Sequence, residues 1–104
     1  MTKFKYGAKG SEFDAIARKP VNDMGQDYMH GTGHGVGYML SVHEGPQNIS
    51  FGLNSIALKP GMIISDEPGY YPTGKFGVRI EDLALVTKNG IINFVTAPKE
   101  LLII

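Results

Sequence analysis

Glycine occupies every second position through His30-Gly31-Thr32-Gly33-His34-Gly35-Val36-Gly37, and this octet constrains the fold more than any other stretch of the chain. Each glycine inside a helix costs roughly 1 kcal/mol against alanine, so the octet is not helical. In an extended chain, alternate residues share a face. Gly31, Gly33, Gly35 and Gly37 then form a bare side, while His30, Thr32, His34, Val36 and Tyr38 line the other. A side without Cβ atoms admits another backbone or a substrate at close range. At about 3.3 Å per residue the two histidines lie roughly 13 Å apart, so at most one of them ligates a given metal ion. A glycine-rich loop with two solvated histidines is the other reading that this spacing leaves open.

The octet accounts for part of a wider excess, 14 glycines in 104 residues, about twice the number that average usage would supply. That length bounds the chain to one domain at most. Ten basic residues balance ten acidic ones, so no broad field draws the chain to nucleic acid or to an anionic membrane. A hydrophobic share of 42% excludes a disordered chain, and no apolar run approaches the roughly 20 residues of a membrane span. Met1-Thr2-Lys3-Phe4-Lys5-Tyr6 has no apolar leader core and the chain has no cysteine, so a cytoplasmic setting is expected.

Local pattern predicts a helix opening at Ser11, with Phe13, Ile16, Ala17, Val21 and Met24 at near-helical spacing and Gly25 as the stop. Pro20 inside it predicts a kink or two short helical pieces. Gly61 to Tyr71 and Phe76 to Thr87 read as two strands joined by the turn-like Pro72-Thr73-Gly74-Lys75. Asn89-Gly90 signals a two-residue turn that returns Ile91 to Val95 onto Leu85 to Thr87. The expectation is a three-stranded antiparallel meander, preceded by a mostly irregular connection from Glu44 to Pro60.

A five-residue loop from Pro72 to Phe76 would pair Tyr71 with Gly77 and set Glu67 opposite Glu81 on one face. Their Cβ atoms would be about 5 Å apart, and like charges so placed destabilise a sheet unless a cation or a proton neutralises them. A divalent metal is the simplest neutraliser. Arg79, two residues from Glu81 on the same face, offers a purely structural ion pair instead. One register slip would turn a carboxylate away. One histidine with two glutamates suits Zn²⁺, Mn²⁺ or Co²⁺. His43, in Val42-His43-Glu44-Gly45-Pro46, either contacts a substrate or is satisfied on a loop.

In this order and spacing, HGTGHGVG (30 to 37), VHEGP (42 to 46), SDEPGYY (65 to 71) and GVRIED (77 to 82) closely resemble the C-terminal part of Xaa-Pro aminopeptidases, also called aminopeptidase P. GSEFDAIAR (10 to 18) is similar to the helix start before the histidine motif in the cytosolic-type members. Methionine aminopeptidases and prolidases share the same pita-bread fold, but DEPGYY and HGTGHGVG favour aminopeptidase P. The resemblance implies an α+β chain, half of a pita-bread fold, with a short N-terminal helix on a curved, mostly antiparallel sheet. It implies a dinuclear site, most often manganese with Zn²⁺ or Co²⁺ as alternatives, that hydrolyses the bond before a proline at position two of a peptide. By motif position, His34 would ligate one metal, Glu67 would ligate it and shuttle a proton, and Glu81 would bridge both ions. His30 and His43 would contact substrate, and Tyr71 and Arg79 would orient ligands or substrate.

Two aspartates ten residues apart complete the family's ligand set. Among Asp14, Asp23, Asp27, Asp66 and Asp82 no pair has that spacing. Residues 1 to 104 are therefore expected to form the C-terminal half of a catalytic domain, weakly metal-binding and inactive alone. A non-catalytic pita-bread module that binds peptides or a protein is the rival reading. The tail from Thr96 to Ile104 matches the aminopeptidase P ending poorly, and its apolar close, Leu101-Leu102-Ile103-Ile104, calls for cover by self-association or by the missing N-terminal half.

Overall fold

The computed structural model describes residues 7–52 and 54–104, so the reading of Met1 to Tyr6 lies outside the described residues. One helix, α1 (Gly10–Asn22), precedes seven short strands: β1 (Gly33–His34), β2 (Asn48–Ile49), β3 (Ile63–Asp66), β4 (Gly69–Tyr70), β5 (Val78–Arg79), β6 (Asp82–Val86) and β7 (Ile91–Asn93). The α+β class and the antiparallel pairing are as expected.

The helix corrects three expectations. It opens with Lys9 as the cap residue, not Ser11, because the Glu12 carboxylate one turn in accepts the Lys9 backbone N–H at 3.0 Å. Pro20 leaves one continuous helix rather than two pieces. It sits in the last turn, where the bond it forfeits is one of few remaining, and the Asp23 N–H still reaches the Lys19 carbonyl at 2.8 Å. The buried face carries Phe13, Asp14 and Arg18, whereas Ile16 and Met24 are exposed. An ion pair four residues apart is invisible to a hydrophobic period, and here it is what the helix buries.

The meander is present: β3, β6 and β7 form one antiparallel sheet. Its second connection is longer than a two-residue turn. The last paired residues are Val86 and Ile91, and the Thr87 N–H and hydroxyl both donate to the Gly90 carbonyl at 2.8 Å. The two long strands expected across the first hairpin are each interrupted, into β3 and β4 on one side and β5 and β6 on the other. Pro68 supplies no N–H to the ladder, and the Glu67 N–H turns away to the Thr32 carbonyl at 2.7 Å. Register nevertheless holds across the gap. Tyr70 pairs with Val78 and Gly69 with Arg79 on one side of it, Asp66 with Asp82 on the other, so Glu67 stands opposite Glu81 as anticipated.

The connection from Glu44 to Pro60 is not all loop. It contains β2, which pairs antiparallel with β1, and a bridge from Lys9 to Ala57. Two residues are too few to show alternation in sequence. A further bridge from Gly35 to Ile64 joins β1 to β3, giving the order β2, β1, β3, β6, β7. The core beneath is Ala8, Phe13, Ile49, Leu58, Ile64, Ala84 and Val86.

Candidate metal centre

The glycine octet is extended where it meets the sheet, and its bare side serves backbone packing. A Cβ on Gly33 would overlap the Ser65 carbonyl, and one on Gly35 would overlap the Glu44 carbonyl. The octet is thereby pressed against β3 on one edge and the 44–47 segment on the other. His34 is left facing the Glu67 side. The chain then runs out and returns through hydrogen bonds from Gly37 N–H to Ser41 O at 2.7 Å and from Glu44 N–H to Gly35 O at 2.9 Å. This return sets the His43 ring against His34, with centroids 4.1 Å apart.

One ligand atom each from His34, Glu67 and Glu81 lie within 4.8 Å of one another. His34 Nδ1 lies 2.8 Å from the Gly35 carbonyl. A carbonyl only accepts, so Nδ1 carries the proton and Nε2 presents its lone pair. Nε2 stands 3.1 Å from Glu67 Oε1. Glu67 is buried, and its Oε1 also accepts from the Ser65 hydroxyl at 2.9 Å. Ser65 in turn accepts the His34 N–H at 3.0 Å, so one buried hydroxyl ties His34 and Glu67 together. Glu81 is exposed and makes no hydrogen bond or ion pair among the described residues, which leaves both of its oxygens available. Imidazole nitrogen with two carboxylates is a donor set that fits a divalent ion of the Mn²⁺ or Zn²⁺ kind.

His30 lies outside this cluster, as the spacing argument required. Its Nδ1 is 2.8 Å from the Gly31 carbonyl and its Nε2 2.7 Å from the Tyr71 hydroxyl, so Nδ1–H donates and Nε2 accepts from Tyr71. The Tyr71 oxygen accepts from Arg79 Nε at 2.9 Å, and Arg79 Nη1 donates to Glu67 Oε2 at 3.3 Å. The Tyr71 hydroxyl, then the Glu67 charge, hold the Arg79 guanidinium above its already high pKa. The ion pair anticipated for Arg79 thus forms with Glu67 across the hairpin. An open chain of contacts runs from Glu67 through Arg79 and Tyr71 to His30.

Sequence reasoning missed the residues that hold this arrangement from behind. Arg18 donates to Asp14 Oδ2 at 2.8 Å, to the Tyr28 carbonyl at 2.6 Å and to the His30 carbonyl at 2.7 Å. Thr32, fully buried, donates to Asp14 Oδ1 at 2.5 Å and accepts from the Tyr28 hydroxyl at 2.6 Å. The acid-to-base spacing of Asp14 and Arg18 on a helix was a usable signal. So was the position of Ser65, two residues from Glu67 and therefore on its face.

Comparison with known proteins follows the same lines. Residues 1–88 match the model of metallopeptidase family M24. A protein of Laccaria bicolor named "Probable Xaa-Pro aminopeptidase P" is 54% identical over 85 residues, covering 80% of this chain and 13% of that protein. Among solved structures, an Xaa-Pro dipeptidase from Bacillus anthracis superposes with TM-score 0.84 at 41% identity, over 97% of this chain and 28% of that one. An X-prolyl aminopeptidase from Caenorhabditis elegans, described as a cytosolic enzyme with a di-nuclear active site, gives TM-score 0.74 at 36% identity, over 88% and 16%. The chain thus spans only a small part of the length of the relatives it matches. The dipeptidase match, covering 97% of this chain, extends into the tail from Thr96 to Ile104, which matches the aminopeptidase P ending poorly. Among the described residues no helix is long and apolar enough to cross a membrane. With the matched family model, the shared pita-bread architecture and the converging His34, Glu67 and Glu81, the chain belongs to metallopeptidase family M24.

Proposed function

We propose that this chain carries one side of the dinuclear metal site of a cytosolic Xaa-Pro peptidase. The observation that supports it most directly is the convergence of His34, Glu67 and Glu81 within ligand distance of one another on the register that the sequence anticipated. These three residues would hold the ions, Mn²⁺ being the first choice. When bound, such ions supply Lewis acidity toward a water and a peptide carbonyl.

The chain's own residues have separable tasks. Glu67 offers Oε1 as a ligand and proton acceptor, and the Ser65 hydroxyl and Arg79 hold its carboxylate in place. His43, its ring tilted against that of His34 and open to solvent, is placed to meet substrate. His30, held by the Gly31 carbonyl and the Tyr71 hydroxyl, is placed to offer substrate a ring edge. Peptides with proline at position two are the expected substrates. The two further aspartate ligands have no counterpart in residues 1 to 104, so the chain by itself should bind metal weakly and not turn over.

Calorimetry with Mn²⁺ tests this. The 104-residue chain should show weak saturable binding that His34→Ala abolishes, and should release no N-terminal residue from an Xaa-Pro peptide above a buffer blank. Absence of saturable binding removes the metal site, and robust turnover removes the need for residues outside this chain.

A further inference from the structure

Glu67 and Glu81 are not the only carboxylates facing each other on the first hairpin. Asp66 and Asp82, one position along each strand, are direct cross-strand partners. Side chains alternate along a strand, so this second pair projects from the opposite face. That is the face of Ile64 and Ala84, where Asp66 lines an apolar groove together with Phe13 and Ile91. Two acidic pairs therefore stand back to back at one level of the sheet. Directly opposed like charges push strands apart, and here separation of β3 from β6 would also separate the two ligand glutamates.

On the back face the counter-charge comes from the tail. Lys99 Nζ pairs with Asp82 Oδ1, while the Asn93 side-chain amide on β7 donates to Asp82 Oδ2 at 3.0 Å. Asp82 is buried, so an unpaired charge there would be costly. Asp66 sits exposed at the groove rim, yet loss of water there, and after it the charge of Asp82, push its carboxyl above the usual carboxylate range, with Lys99 acting in the other direction.

We propose that Lys99 is a positioning residue for the metal-ligand pair: by neutralising Asp66 and Asp82 on the back of the sheet, it keeps Glu67 and Glu81 converged on the front. The inference rests on the reading of His34, Glu67 and Glu81 as metal ligands. Lys99 itself touches none of them and acts through Asp82 and the spacing of β3 and β6.

The test is Mn²⁺ calorimetry on the 104-residue chain, paired with amide hydrogen exchange of the metal-free protein. Lys99→Met should weaken Mn²⁺ binding about tenfold, the size of effect typical of groups that orient metal ligands, and speed exchange from Asp82 to Ala84. Lys99→Arg should restore both. Adding Asp66→Asn to the Met variant should recover most of the affinity, because the repulsion is gone, whereas a tail that merely packs would show no such recovery. Unchanged affinity in Lys99→Met, or no recovery with Asp66→Asn, overturns the proposal. If Lys99→Met does not fold, Asp66→Asn alone decides: it should bind Mn²⁺ at least as tightly as the parent, and weaker binding overturns the proposal. If the parent chain binds no Mn²⁺, the metal reading fails, and the exchange rates alone decide whether Lys99 clamps the strand pair.

Discussion

Two arginines reach His30, one at its backbone carbonyl and one through the Tyr71 hydroxyl on its ring, and they are built for different work. Arg18 is buried, bonded to Asp14, Asp27 and the carbonyls of Tyr28 and His30, and lies over the rings of Tyr28 and Phe51 at 4.1 and 4.7 Å. Arg79 is half exposed and reaches the His30 ring only through the Tyr71 hydroxyl. The first grips two backbone carbonyls and two carboxylates from a buried position. The second links the buried Glu67 to Tyr71 and His30, which remain partly open to solvent. Burial separates the roles: a desolvated charge must be fully paired and so becomes a fixture, while a solvated one remains available.

The largest effect should come from breaking the buried side. Arg18→Met leaves Asp14 buried without its cation, and a loss of about 3 to 5 kcal/mol is expected in urea unfolding. A loss below 1 kcal/mol would mean that the two networks do not differ as described. On the open side, Glu81→Gln should leave the unfolding midpoint nearly unchanged and lower Mn²⁺ affinity at least about tenfold by calorimetry. Tyr71→Phe should cost about fivefold in the same measurement, the worth of about 1 kcal/mol for one hydrogen bond, and should shift the His30 ring resonances. An unmoved His30 would break the link drawn through Tyr71.

The smallest effect sharpens the boundary of the buried network. Arg18, and then the Tyr28 N–H, hold the Asp27 carboxyl below the usual carboxylate range. A lowered folded-state pKa contributes stability that is present above the unfolded-state value and is lost as pH falls through the folded-state value. Asp27→Asn should therefore destabilise slightly near neutral pH, with the difference closing on acidification below the ordinary aspartate range. A difference that grows toward low pH would contradict the assignment.

Much of the front of the site was legible in the chain itself. Turn residues at 72 to 75 set the hairpin register, and register alone brings Glu67 opposite Glu81, because side chains alternate with a fixed period of two. Glycine spacing separated His34 from His30 for the same reason. The back of the site was not legible. Asp14 and Arg18 break the apolar stripe of their helix, and their partners at Thr32, Tyr28 and His30 are distant along the chain, so no local window contains the bonds. The interruption at Pro68 was signalled by its missing N–H, yet the carbonyl that Glu67 turns to, on Thr32 just before β1, is one that only tertiary packing brings near.

By itself the sequence determined which residues can share a face, through the alternation of the octet and the register of the hairpin, while the choice of His34 over His30 came from the resemblance to aminopeptidase P. Tertiary structure alone decided what stands behind them. The bare glycine face met backbone carbonyls, Ser65 bridged His34 and Glu67, and Lys99 came back from the tail to a carboxylate pair on the far side of the sheet. Local periodicity is a property of the chain, but pairing across the fold depends on which distant segments are packed together, and that follows from burying the common core.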